Sequence, residues 1–440
     1  MTIPSRKRYP IQIVQGAQWG SEGKGAIAAW LCFHDKIDYA VRTGTVNAGH
    51  TVYYKGKPFK MQQIPTGWVR PETQLVIGPG ALISPDIISR EIMMINEATG
   101  RDVRSRLYVD WRCGVHLPVH TDRSTASGRH HSIGATGKGS SEALIDKIRG
   151  RGKGYKLYSQ NGEWSERGDI VSPWNYCDTS SMLNHAFDRG ERILLEGTQG
   201  TFLDLHLGPY PYTTHKQTLP GQWLTEAGLS PSLPVEVVLV VRTKPIRVAG
   251  NSGPMPGETS WPLLVADMND KLGTNVIDSE AVPIFERLLE QEGKWRGLPE
   301  GLSATAQHTW TSAEREEWKE PLSEMNAAVL NLMKEDYSYS YKELCRVFEF
   351  TTVTGKLRRI ANINNSMMIE AMQLNRPSRV ALTFCDYEWP RMWDCRSRAN
   401  VVAELTGVHQ EMYDFCEEFG AQDHLAFASF GPQHHNIFAL

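Results

Sequence analysis

A short apolar run, Ile11, Ile13 and Val14, leads into Gly16-Ala17-Gln18-Trp19-Gly20-Ser21-Glu22-Gly23-Lys24-Gly25, and an alanine-rich apolar stretch from Ala26 to Phe33 follows. A strand that ends in a glycine-rich turn and continues as a helix is the opening unit of an α/β nucleotide-binding sheet. Glycines let backbone N–H groups approach phosphate oxygens. The helix start adds partial positive charge, and Lys24 adds a full one. The spacing departs from the standard P-loop: Gly16 lies too far from Gly23-Lys24, and Gly25 stands where Ser or Thr would hold magnesium. The plain alternative is a tight strand–helix turn that binds nothing.

The same pattern recurs along the chain. Tyr39 to Arg42 reads as a strand running towards Asn47-Ala48-Gly49-His50-Thr51, and Leu75 to Ile77 as one entering Gly78-Pro79-Gly80. Ile193 to Leu195 enters Glu196-Gly197-Thr198-Gln199-Gly200. Val235 to Arg242 is a continuous β-branched run, as suits a parallel strand buried on both faces, and Val380 to Phe384 is a last strand, entering Cys385-Asp386. Ligands of open parallel sheets sit at the carboxyl ends of the strands, so the site should be assembled from loops distant in sequence. Length alone, 440 residues, suggests about three domains. The recurring pattern instead predicts one large α/β domain over residues 1–440, with a central, mostly parallel sheet. The segment from about 260 to 345 carries no glycine loop, and Trp318, Leu322, Met325, Val329 and Leu332 fall at helical spacing, which predicts a helical insertion.

The charge balance, 47 basic against 50 acidic residues, argues against a basic nucleic-acid binder. Seven scattered cysteines form no CxxC pair, so reduced thiols and a cytoplasmic location are expected. No apolar stretch reaches about 18 residues, and the basic segment Met1 to Pro10 has no apolar run behind it, so neither a membrane span nor a signal peptide is expected. His130-His131 and His434-His435 lack a carboxylate partner in sequence and read as loop residues rather than metal ligands. Hydroxyls, a glycine and three cations crowd Thr351-Thr352-Val353-Thr354-Gly355-Lys356-Leu357-Arg358-Arg359, which suits an anionic ligand such as a carboxylate, or else a solvated basic loop.

Together these segments resemble the adenylosuccinate synthetase family. Gln15 to Gly25, Asn47 to Thr51, Ile133-Gly134-Ala135-Thr136-Gly137-Lys138-Gly139, Glu196 to Thr201, Tyr210-Pro211-Tyr212-Thr213-Thr214, Gly253-Pro254-Met255-Pro256-Gly257-Glu258 and Thr351 to Arg359 occur in that family's order. The resemblance implies a two-step ligase: a nucleoside triphosphate phosphorylates the 6-oxygen of a purine nucleotide, and the amine of aspartate displaces that phosphate. It implies His50 as general acid, Lys24 on the phosphates and Gln199 as a further catalytic residue. Gly20, Glu22, Gly23, Lys24, Gly25, Gly49, His50, Thr51, Asp386 and Gly431 would bind the triphosphate. Ser21, Asn47, Thr136, Gln199 and Thr214 would hold the purine nucleotide, with Arg151 reaching across a homodimer. Thr354, Gly355, Lys356 and Arg358 would clamp L-aspartate, and Ser21 and Gly49 would meet Mg2+.

Departures from the family pattern refine this expectation. The ordinary enzyme has Asp where this chain has Ser21, and that Asp is the base for inosinate N1 and a magnesium ligand. A serine hydroxyl is far too weak a base near neutral pH. A phage branch of the family, the 2-aminoadenylosuccinate synthetases, carries the same serine and acts on dGMP. Shortening Asp to Ser leaves room for the 2-amino group and supplies an oxygen that can accept from it. Phe384 replaces a lysine that lies along guanine in ordinary members, while Asp386 remains, which favours ATP or dATP over GTP as phosphate donor. Lys356 replaces an arginine and loses its bidentate fork. The sequence-level expectation is therefore a dGMP–aspartate ligase. The alternatives are an ordinary synthetase using IMP and GTP, and a non-catalytic paralogue.

Overall fold

The computed structural model describes residues 9–150, 174–248, 252–273, 349, 358–392, 398–431 and 436–440. Most of the expected helical insertion lies outside the described residues, as do Arg151, Thr354, Gly355 and Lys356. The start of the insertion is helical, Trp261–Leu272.

Among the described residues, ten strands form the central sheet. In chain order they are β1 (Ile11–Gly16), β2 (Tyr39–Arg42), β3 (Gln74–Ile77), β4 (Leu107–Asp110), β5 (Asn175–Cys177), β6 (Ile193–Glu196), β7 (Val235–Arg242), β8 (Arg379–Thr383), β9 (Leu425–Ser429) and β10 (Ile437–Ala439). Across the sheet the order is β10-β9-β8-β7-β1-β6-β2-β3-β4-β5. Every pairing is parallel except β9 with β10. The mostly parallel α/β expectation holds.

Burial explains why the central strands were readable. All six residues of β1 are buried, and seven of eight in β7. On one face Ile11 and Ile13 pack with Leu183, Trp223 and Leu224. On the other, Val14 and Val238 join Ile27 and Leu31 of α1 (Lys24–His34). Strands covered on both sides become continuous apolar runs. One boundary shifts: β8 ends at Thr383, because Phe384 adopts a left-handed backbone, φ 56°, and starts the short helix Cys385–Glu388.

Strand β1 lies between β6 and β7, so the glycine loop emerges beside the carboxyl ends of both. Arg242, the last residue of β7, is in register with Thr383, the last of β8. The loops that follow β1, β2, β6, β7 and β8 therefore emerge at the same end of the sheet.

Candidate active site

The glycine loop is folded around one carboxylate. Glu22 is fully buried. Its Oε1 accepts from the backbone N–H of Gln18 (3.1 Å) and of Gly20 (2.7 Å), and its Oε2 meets Lys24 Nζ. A Cβ at Gly16 or at Gly200 would lie 2.5 Å from the Glu22 carboxylate, so both positions require glycine. Gly20, Ser21 and Gly23 all have positive φ. Ser21 alone among them carries a Cβ, which costs about 1–2 kcal/mol in that region. Its side chain is left exposed at the loop tip. At the start of α1 the Ala26 and Ile27 N–H groups donate to the Gly23 carbonyl, so Lys24 and Gly25 are the residues ahead of the helix's first hydrogen bonds.

Beside this loop lies a second cluster that is entirely buried. His50 opens the hairpin His50–Tyr54 and Lys57–Met61, and its Nδ1 is 2.5 Å from Glu196 Oε1 at the end of β6. The same oxygen accepts from Arg42 Nη1 at 2.9 Å. Glu196 Oε2 accepts from the Thr66 backbone N–H (2.7 Å) and lies 2.9 Å from its hydroxyl. Arg42 also donates to the Ala48 carbonyl at 3.0 Å, which fixes the turn carrying Asn47 and Gly49. Burial, then the Arg42 charge, pushes the His50 imidazole down to about 4. Burial acts to raise Glu196, but the His50 hydrogen bond and Arg42 outweigh it and hold the carboxyl below its ordinary value. The pair is thus a neutral imidazole donating from Nδ1 to a carboxylate, with Nε2 uncommitted among the described residues. Glu196, Arg42 and Thr66 were not expected as site residues.

The nucleotide-side residues sit on the connections after β2, β4 and β6. Gln199 has a positive φ of 66° and packs its backbone against Gly20. The Thr214 N–H donates to the Leu203 carbonyl at 2.8 Å, and its Oγ1 is 3.3 Å from His215 Nδ1. Asn47 is held by Thr45 through its side-chain oxygen. Thr136 is exposed in the loop between Gly134 and Gly137. A cavity of about 250 Å³ opens between these loops, lined by Thr45, Gly80, Leu82, His206, His215 and Lys216 among others.

The third side of the site is built from β7, β8 and the segment before Arg359. Thr383 Oγ1 donates to the Glu22 carbonyl at 2.7 Å, so the end of β8 abuts the glycine loop. The Arg242 guanidinium lies 3.6 Å from the Phe384 ring centroid, and Phe384 stacks on Tyr387 at 6.0 Å and 11°. Arg242 pairs with Glu349 and donates to the Ser21 carbonyl at 3.3 Å. Arg358 Nη1 donates to Ser21 Oγ at 3.0 Å. Asp386 Oδ1 is buried with no hydrogen-bond partner among the described residues, and burial pushes this carboxyl up to about 7. Gly431 follows β9 at the same end of the sheet.

The sequence profile described as adenylosuccinate synthetase matches residues 13–161 and 155–388. The chain belongs to the adenylosuccinate synthetase family. It is 38% identical over 251 residues to the adenylosuccinate synthetase of Methanocaldococcus jannaschii, covering 56% of this chain and 68% of that protein. It is 35% identical over 253 residues to that of Thermococcus sibiricus, covering 57% and 70%. Two solved structures share the adenylosuccinate synthetase fold. One is the cyanophage S-2L succinoaminodeoxyadenylate synthetase (PurZ) bound to dGMP and dATP as an energy donor, at TM-score 0.66 and 24% identity, covering 98% of this chain and 96% of that one. The other is the fully ligated adenylosuccinate synthetase of Plasmodium falciparum, at TM-score 0.65 and 16% identity, covering 98% and 100%. As a member of this family the chain is a carbon–nitrogen ligase of purine nucleotide biosynthesis, and the family uses Mg2+ and a nucleoside triphosphate. No described helix is long and apolar enough to cross a membrane.

Proposed function

We propose that the chain joins L-aspartate to dGMP at C6, driven by ATP or dATP, through a 6-phosphoryl intermediate. The observation that carries this reading is Ser21. It stands at the exposed tip of the glycine loop, its Oγ is held by Arg358, and the adjacent carboxylate, Glu22, is buried and bound within the loop. A serine there leaves the volume that a 2-amino group requires and offers it an acceptor, whereas inosinate would face no free carboxylate. The solved cyanophage relative was bound to dGMP and dATP, the pair this reading requires.

In this reading the triphosphate lies along the glycine loop. Lys24, the backbone of Gly20 to Gly25 and His50 take its phosphates, beside Gly49 and Thr51, with Gly431 at the edge. Anionic phosphates raise the imidazole's proton affinity, so His50 becomes a donor at Nε2 while Glu196 holds Nδ1. Magnesium, when bound with the triphosphate, would supply charge neutralisation at the phosphates. The donors here are neutral oxygens, which fit an ion carried in on the triphosphate rather than a standing site. Among the described residues no cluster of His, Cys, Asp and Glu could hold a metal. Of the two expected ligands, the Gly49 carbonyl suits the cation better, because Ser21 Oγ lies against the Arg358 guanidinium.

Asn47, Thr136, Gln199 and Thr214 hold the purine nucleotide, with Arg151 supplied from a second copy in a homodimer. Thr354, Gly355, Lys356 and Arg358 take the carboxylates of aspartate. The support for an adenine donor is Asp386. A carboxyl raised to about 7 is protonated in a substantial share of molecules at neutral pH, and that form offers one donor and one acceptor, as adenine N1 and N6 require. An ionised carboxylate would offer two acceptors, as guanine requires.

The test is a panel of dGMP, GMP and IMP against ATP, dATP and GTP, with aspartate and magnesium, read as succinyl product. Turnover with IMP and none with dGMP overturns the reading in favour of an ordinary synthetase. Nucleotide binding without any product would indicate a non-catalytic paralogue.

A further inference from the structure

Residues Ser21 and Arg358, which lie 337 positions apart in sequence, meet at 3.0 Å. The backbone on the arginine side is braced. The Trp261 indole N–H, on a fully buried ring, donates to the Arg358 carbonyl at 2.7 Å, and the Arg358 N–H donates to the Glu349 carbonyl at 2.9 Å. The next residue, Arg359, is tied to Glu258 at 2.6 Å. On the serine side, Arg242 donates to the Ser21 carbonyl at 3.3 Å, and the loop is folded around Glu22. A guanidinium on a braced backbone is therefore presented to a hydroxyl whose own backbone is held.

The chemistry of the pair is asymmetric. A guanidinium has only donors and keeps its proton at any physiological pH, whereas a serine hydroxyl has one hydrogen and two lone pairs. Once Arg358 fills one lone pair, the hydroxyl hydrogen must turn away from the cation. The second lone pair is then left as a defined acceptor at the loop tip. We infer that Arg358 is a specificity-determining positioning residue: it orients the Ser21 hydroxyl so that its free lone pair accepts from the 2-amino group of a guanine nucleotide. This rests on the reading of dGMP as substrate and adds to it a second residue, separate from any contact Arg358 makes with aspartate. Without the arginine the hydroxyl would rotate freely and accept less well from that amine.

The test is a selectivity cycle. The ratio of kcat/KM for dGMP over IMP is measured in the parent, Ser21→Ala, Arg358→Lys and the double variant, with the KM for aspartate followed separately. Arg358→Lys should lower the ratio about tenfold, the size of one neutral hydrogen bond. In the Ser21→Ala background it should lower the ratio no further. An equal drop in both backgrounds, or a rise in aspartate KM with the ratio unchanged, overturns the inference. If Arg358→Lys turns over too slowly to measure, the dissociation constants of dGMP and IMP without aspartate give the same ratio. A parent enzyme that prefers IMP overturns the dGMP reading itself, whereas a dGMP-selective parent indifferent to Arg358 overturns only this inference.

Discussion

The two sides of the glycine loop are built on opposite principles. Around His50, both oxygens of Glu196 are hydrogen-bonded, Arg42 and Glu196 are fully buried, and the partners come from a strand end, a hairpin start and the turn at Thr66. Around Ser21, the side chain is exposed and, among the described residues, held by one hydrogen bond, from Arg358. The buried side is over-determined, so it can hold a ring nitrogen in one place and one tautomer. The open side is held weakly, and it is there that the proposed reading puts the choice of purine. Chemistry common to a family belongs on the first kind of surface, and choice of substrate on the second.

The largest effect should follow from breaking the buried side. Glu196→Gln leaves Arg42 buried without its counter-charge and gives His50 an amide in place of a carboxylate. Loss of one partner from a buried pair costs about 3–5 kcal/mol. Denaturant midpoint and kcat should fall together. A variant of parental stability would show that Arg42 has another counter-charge.

His50→Asn should separate the two functions of that cluster. It removes the proton donor but keeps a side chain that can reach Glu196, so stability should change little while kcat falls by about 10²–10⁴. The imidazole's depressed value gives a further readout. With the ordinary value at 6.5 and the folded value at about 4, the unfolded chain binds more protons between those limits. This group's contribution to stability is therefore present above pH 6.5 and lost as pH falls towards 4. Triphosphate binding should then take up a proton near neutral pH in the parent and not in His50→Asn, read as a buffer-dependent heat of binding.

How much of this was legible beforehand follows from the same contrast. Strands β1 and β7 were readable because both faces are buried, which turns them into unbroken apolar runs. β4, β5, β9 and β10 went unread. They are short, lie towards or at the sheet's edges, and hold polar or exposed residues such as Asn175 and Ala439. The glycine loop, His50 and the 351–359 cluster were visible as local patterns. Glu196 was visible only as a strand-end residue, since its partners His50 and Arg42 lie 146 and 154 positions away. Glu22 was read as a triphosphate contact, yet in the fold its carboxylate is used by the loop itself. Local pattern reports where a ligand can approach, but not which buried carboxylate orients the group that meets it.

On the open side, Ser21→Asp should sharpen the comparison at smaller cost. A carboxylate there would pair with Arg358 and fill the space proposed for the 2-amino group. dGMP use should fall by about tenfold or more, and IMP use should rise or appear. An unchanged dGMP/IMP ratio would remove Ser21 from the purine edge.

The smallest effect concerns Asp386, which is buried and leaves Oδ1 without a partner among the described residues. Its ordinary value is 3.8 and its folded value about 7, raised by burial and by Glu349 against the opposing charge of Arg242. Between those limits the folded chain holds a proton that the unfolded chain has released, so stability falls as pH rises from about 4 to about 7 and the penalty is constant above. Asp386→Asn removes the ionisable group and keeps its shape. It should raise Tm by a few degrees at pH 8 and leave it unchanged at pH 4. An equal gain at both pH values would mean that packing, not ionisation, sets the effect, and a loss at pH 8 would mean that the carboxylate has a partner. The amide offers one donor and one acceptor, the pattern argued for the protonated carboxyl, so ATP use should persist. Any residual GTP use should drop, because GTP needs the ionised form.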